Sequence, residues 1–144
     1  MRVGPIPGPG SKGRMAASIL IADDDANIVL ALRFLMEKEG YRVRVATDGD
    51  AAIEAIGKYR PDIVVLDVMM PRRNGIEVCA AIRADPALKG TRIIMLTAKG
   101  MGRERDRGLR AGADEYITKP FSTREVLDRV RAQAAEAVNM GPGA

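Results

Sequence analysis

The chain has 144 residues, enough for one compact domain with its own core and too few for two. Apolar residues make up 47% of it, yet their longest runs are of strand length, far below the ~20 residues that cross a bilayer. A pI near 9.5 suggests nucleic-acid binding, but Arg2, Lys12 and Arg14 lie in the first 18 positions, where no acid occurs, and the remainder sets 20 basic residues against 19 acidic ones. A binder of phosphate backbones shows surplus positive charge on one face, so direct nucleic-acid contact is not expected.

Residues 1–17 hold four glycines and three prolines without apolar periodicity, and are expected to form a flexible extension. They contain no apolar stretch of the secretory-signal kind, and Met15 is either an alternative start or the native start behind a leader, so residues 1–14 are either native or a leader. A cytoplasmic location is expected, and the lone Cys79, which can form no intramolecular disulfide, fits a reducing compartment. Ile19-Leu20-Ile21-Ala22 reads as an apolar strand. Asp25 then caps a helix with Val29, Leu32, Leu35 and Met36 on one face, stopped by Gly40. Tyr41, Val43 and Val45 alternate with Arg42 and Arg44, the period of a strand with one wet face, placed at a sheet edge. A short helix from about Asp50 to Ile56 leads to Pro61, and Ile63-Val64-Val65-Leu66 reads as a central strand buried on both faces. The next helix spans Ile76 to Arg83 and ends at Asp85-Pro86, followed by a strand from Arg92 to Leu96. A helix around Arg103–Arg110 stops at Gly112, and Tyr116-Ile117 forms a short last strand. Ser122-Thr-Arg-Glu125 is a capping box opening the final helix. The folded domain is thus expected over 18–137, with a frayed tail over 138–144.

Five strand-then-helix repeats imply a (βα)5 chain, packed as a doubly wound, five-stranded parallel sheet of order 2-1-3-4-5. In such sheets ligands bind beyond the carboxyl ends of the strands, where the strand order reverses. Asp23 and Asp24 close the first strand, Asp67 the third and Thr97 the fourth, while Lys119 follows the fifth. Residues so far apart in sequence meet on one edge if the strands are read correctly, and each is a polar residue after an apolar run.

Three neighbouring carboxylates raise one another's pKa, and a hard divalent cation relieves the conflict. Mg2+ takes a few carboxylates, keeps several waters and leaves room for phosphate oxygens. Lys119 supplies a mobile positive charge and Thr97 a hydroxyl donor. The set suits phosphoryl transfer, in which positioning and charge neutralisation dominate, and an Asp carboxylate can itself be the nucleophile.

The segments ILIADDD, IVVLDVMMP, IIMLTA and GADEYITKPF stand in the order and spacing of the receiver domain of two-component response regulators, which the chain resembles over roughly residues 18–137. The similarity is to the single-domain, chemotaxis-regulator kind, and it implies a flavodoxin-like fold. It further implies that Asp67 takes a phosphoryl group from a partner's phosphohistidine, on a sensor histidine kinase or a histidine phosphotransfer protein. By the same resemblance Asp24, Asp67 and the Met69 main-chain carbonyl ligate Mg2+, with Asp23 acting partly through water. Thr97 and Lys119 contact the phosphoryl group, Tyr116 is the aromatic switch that follows Thr97, and Ala98 leaves room for that motion. The Lys119-Pro120 bond is cis in this family. Met69 and Lys99 stand at positions where the family tunes the lifetime of the acyl phosphate.

Taken singly, these residues say less. An Asp triplet after a strand most often caps a helix, which is the role assigned to Asp25. Alone, Thr97 is an ordinary strand residue, Lys119 a solvated loop charge and Tyr116 a packing residue, and the charges over 103–110 are a solvated helix face. Asp67 differs, because a carboxylate ending a buried strand needs a partner.

The expected function is therefore a phosphorylation-dependent interaction switch, regulatory and not an enzyme acting on outside substrates. Its output is contact with a downstream effector protein. Pairing across a two-fold dimer through Arg105, Asp114, Glu115, Glu125 and Arg129 is a further expectation. A phosphorelay shuttle or phosphate sink is the alternative, and a fragment of a DNA-binding regulator a more distant one. A phosphatase of the haloacid dehalogenase type needs a second Asp two positions after its nucleophile, where this chain has Met69.

Overall fold

A computed structural model describes residues 17–98, 106 and 111–139 of the chain. Five parallel strands, β1 (Ser18–Ala22), β2 (Arg42–Ala46), β3 (Ile63–Asp67), β4 (Arg92–Ala98) and β5 (Glu115–Lys119), pair in the order β2-β1-β3-β4-β5. This is the flavodoxin-like order expected from the sequence. Four α-helices are described: α1 (Ala26–Lys38), α2 (Gly49–Tyr59), α3 (Gly75–Ala84) and α4 (Thr123–Asn139). None of them is long and apolar enough to cross a membrane. The helix expected over 103–110 lies outside the described residues except for Asp106, which is helical. The expected N-terminal extension, apart from Ala17, and most of the tail lie outside them as well.

Side chains alternate between the two faces of the sheet, and the inner strands β1, β3 and β4 bury both. Leu20, Val64, Leu66, Ile93 and Met95 point to the side covered by α2 and α3, where Ala52, Ile56, Val78 and Ile82 complete a core. Ile19, Ile21, Ile63, Val65, Ile94, Leu96 and Ile117 point the other way, against Leu32 and Met36 of α1 and Val126, Leu127 and Val130 of α4. Cys79 is part of the first core. Burial pushes its thiol up to about 11, so it stays protonated and serves as a small apolar residue.

Helix starts follow local chemistry. Asp25 Oδ1 accepts from the Asn27 and Ile28 amides at 2.9 and 3.3 Å, and Asp48 accepts from Ala51 N–H at 2.8 Å. Asn74 and Glu77 form a reciprocal capping box with both bonds at 2.9 Å, so α3 begins one residue before the expected Ile76. Ser122 Oγ accepts from Glu125 N–H at 3.0 Å, one arm of the predicted box. The ends differ more. α2 runs from Gly49 to Tyr59, and β5 covers Glu115–Lys119 in place of the two residues expected. The ladder to β4, from Ile94↔Glu115 to Ala98↔Lys119, draws Glu115 and Lys119 into β5, although neither has a strand signature of its own.

Candidate functional site

Asp67 closes β3, whose five residues are all buried, as in no other described strand. Alternation turns Asp67 toward the same side of the sheet as Ile63 and Val65, Lys119 toward that of Ile117, and Asp23 toward that of Ile19 and Ile21. Three residues from three strand ends therefore converge. Lys119 Nζ lies 3.4 Å from Asp67 Oδ1 and 3.6 Å from Asp23 Oδ2. Asp23 is fully buried and Asp67 is 3% exposed. Asp24, next to them, is exposed.

The turn after Asp67 is held tightly. Met69 N–H donates to Asp67 Oδ1 at 3.2 Å, while the Met69 side chain is 59% exposed. Val68 N–H donates to Leu96 O, and Gly75 N–H to Val68 O, both at 2.9 Å. A Cβ at position 75 would stand 2.3 Å from the Asp67 carbonyl oxygen, so only glycine lets α3 start this close to the strand end. Gly49 plays the same part at α2, where a Cβ would meet the Arg73 carbonyl oxygen at 1.9 Å. Neither glycine is among the residues that spacing and polarity single out, and the Asn-Gly pair at 74–75 is the local signal for one of them. Arg73 and Asp50, 2.9 Å apart, and Arg72 and Asp48, 3.6 Å apart, tie the same turn to α2.

Burial is the largest influence on Asp67, followed by the Asp23 carboxylate. Together they push its pKa up from 3.8 to about 6, against the lowering pull of Lys119 and the Met69 N–H. Among the described residues, one cation stands against two buried carboxylates, which leaves the site short of positive charge. Asp23 Oδ1 accepts from Asp25 N–H at 2.9 Å, but its Oδ2 is buried without a hydrogen-bond partner. Asp23, Asp24 and Asp67 each offer a carboxylate oxygen, and these atoms lie within 4.8 Å of one another. Oxygen donors at that spacing fit a hard divalent cation such as Mg2+, and Asp23 Oδ2, ion-paired but without a hydrogen bond, is where a metal-bound group has something to satisfy.

Thr97 and Tyr116 belong to the opposite side of the sheet. Thr97 continues the alternation of Ile93 and Met95, is 3% exposed, and its Oγ1 is buried without a hydrogen-bond partner. Tyr116 pairs with Met95 in the ladder and packs half-buried against the α2–α3 core, its hydroxyl out of solvent. Ala98 pairs with Lys119, and the Lys119-Pro120 bond is cis. Among the expected surface charges, Glu115 is engaged within the chain by Arg129 at 3.3 Å and by Gln133 at 2.7 Å. Asp114 pairs with Arg83 at 2.9 Å and Arg92 at 3.5 Å. Arg105 and Lys99 lie outside the described residues.

The family description "response regulator receiver domain" matches residues 19–131. Among solved structures, a candidate response regulator from Chloroflexus aurantiacus J-10-fl is 36% identical with a TM-score of 0.78, over 83% of this chain and 98% of that one. A CheY-like response regulator receiver domain protein from Methanospirillum hungatei JF-1 is 28% identical with a TM-score of 0.82, over 88% and 99%. The chemotaxis response regulator CheY4 of Vibrio cholerae is 30% identical with a TM-score of 0.78, over 83% and 99%.

Proposed function

The chain belongs to the response regulator receiver domain family, a family whose general role is to accept a phosphoryl group, and on that premise we propose that Asp67 is the acceptor. The observation that carries this reading is the buried Asp67 carboxylate, set between Asp23 and Lys119 at the carboxyl edge of the sheet. The receiver unit spans 18–137 and works in the cytoplasm. Its donor is a phosphohistidine on a sensor histidine kinase or histidine phosphotransfer protein.

In the transfer, an Asp67 Oδ attacks phosphorus as the P–N bond to the donor imidazole breaks. The bonding pair leaves on the ring nitrogen, which takes up a proton, and an acyl phosphate forms on Asp67. Asp23, Asp24, Asp67 and the Met69 carbonyl would hold Mg2+, which would supply neutralisation of charge on the phosphoryl oxygens. Lys119 presents its ammonium to one phosphoryl oxygen, and Thr97 swings its unpartnered Oγ1 toward another. That displacement opens space on the α2–α3 side of the sheet, where Tyr116 follows inward. The change is read by a downstream effector protein. Hydrolysis of the acyl phosphate returns Asp67 as the carboxylate with free phosphate. A two-fold contact through Arg105, Glu115, Glu125 and Arg129 exchanges the internal Glu115–Arg129 pair for one between copies.

Incubation with Mg2+ and acetyl phosphate, followed by intact mass and borohydride mapping, tests the assignment. One phosphoryl group on Asp67, lost with EDTA present during the reaction and lost in Asp67→Asn, is the expected result. Label at another residue, or label that survives Asp67→Asn unchanged, rejects it.

A further inference from the structure

The sheet edge formed by β2 carries charges that the phosphoryl site does not use. Among the described residues β2 bonds to β1 alone. Arg42 N–H donates to Ala17 O, and Asp23 N–H to Ala46 O, both at 3.1 Å, so the even-numbered residues of β2 turn their main chain toward β1. In a parallel ladder the alternate residues turn theirs the other way. The N–H and C=O groups of Val43 and Val45 therefore face outward, with no strand beside them among the described residues.

Around this edge Arg42, Arg44, Lys58 and Arg60 are all exposed, and none is in an ion pair among the described residues. Arg42, Arg44 and Arg60 line a concavity that also contains Glu37 and Asp62. Both acids are engaged elsewhere: Glu37 by Arg33 at 3.3 Å, and Asp62 by Ser18 N–H at 2.8 Å. The surplus there is positive. The Arg44 guanidinium lies 3.5 Å over the Tyr59 ring, and Lys58 Nζ is 5.2 Å from the ring centre, contacts that hold both cations at the edge. Arg60 caps α2 at φ 48°, a left-handed position that glycine occupies more easily, so a cation stands where the backbone favours none.

Arginines on an edge strand keep like edges apart, since a second β2 would set Arg against Arg. The same charges admit an extended segment of opposite sign. We propose that the outer edge of β2 docks an acidic extended segment of a partner protein as an added strand. In it Asp or Glu stands opposite Arg42 and Arg44, β-branched residues alternate between them, and the main chain bonds Val43 and Val45. A nucleic acid fits less well: it cannot use main-chain groups at strand spacing, and Tyr59 already carries cations where a base would stack.

The test uses the whole chain, isotope-labelled, with a short blocked peptide alternating glutamate and threonine. Saturable binding is expected, with slowed hydrogen exchange at the Val43 and Val45 amides and little change at Arg42 and Arg44, which already bond to β1. The double variant Arg42→Glu/Arg44→Glu binds that peptide about tenfold more weakly and gains affinity for its lysine–threonine counterpart. If that variant fails to fold, Lys58→Glu/Arg60→Glu, placed off the strand, shows the same reversal. Equal binding by a peptide with its acids clustered at one end, protection at other amides, or tighter binding of a single-stranded oligonucleotide overturns the proposal.

Discussion

The Lys119 ammonium stands 3.4 Å from Asp67 Oδ1, yet burial and Asp23 still raise the pKa of Asp67 to about 6. A carboxyl group whose pKa is higher folded than unfolded binds its proton more tightly in the folded state. Its effect on stability is absent below pH 3.8, becomes a penalty as pH rises toward about 6, and is constant above. A shift of this size corresponds to about 3 kcal/mol.

Asp67→Asn removes that titration. Urea unfolding between pH 4 and 7 in EDTA is expected to show the variant gaining on the wild type across this window, by about 1–3 kcal/mol at neutral pH. A stability difference independent of pH contradicts the account of Asp67 as a carboxylate ionised at a cost.

Lys119→Met takes away the ammonium that, among the described residues, opposes this shift. The Asp67 titration midpoint, followed by carboxyl-carbon chemical shift, is expected to move above its value of about 6. A midpoint that stays in place means the ammonium is screened by solvent, which its 27% exposed side chain partly permits.

Two glycines form a matched pair of tests. Gly75→Ala drives a Cβ against the Asp67 carbonyl and is expected to cost about 1–3 kcal/mol, with displaced resonances at 67–69. Gly57→Ala, inside α2 with nothing within 4 Å of the added carbon, is expected to stabilise by about 0.5–1 kcal/mol. Thermal unfolding of the two variants checks both signs.

Asp114 holds the entrance to β5. Its Oδ2 accepts from the Arg83 guanidinium at 2.9 Å and from Ile93 N–H at 2.8 Å. Asp114→Ala leaves a part-buried amide and a guanidinium short of an acceptor, with an expected loss of about 1–3 kcal/mol in urea unfolding. A much smaller loss points to solvent replacing the carboxylate.

Much of the architecture was legible because it is written in local periodicity. Runs such as Ile63–Leu66 and the alternation of Val43 and Val45 with Arg42 and Arg44 report burial on two faces or one, whatever surrounds them. Strand ends were likewise visible as polar residues after apolar runs, which brought Asp23, Asp24, Asp67, Thr97 and Lys119 to one edge. The length of β5 was not visible. Glu115 and Lys119 have no preference for a strand, and only the ladder to β4 makes them part of one.

By itself, then, the sequence determined the order of the described strands and helices, and the sheet edge at which the candidate residues gather, since these follow from spacing and polarity along the chain. The tertiary structure decided the rest. Side-chain alternation sets Asp23, Asp67 and Lys119 on one side of the sheet and Thr97 with Tyr116 on the other. Packing density makes Gly75 obligatory, and Glu115 pairs with Arg129 inside the chain. The pKa of Asp67 belongs to the same class, because burial and the nearness of Asp23 act through space, between residues that the sequence keeps far apart.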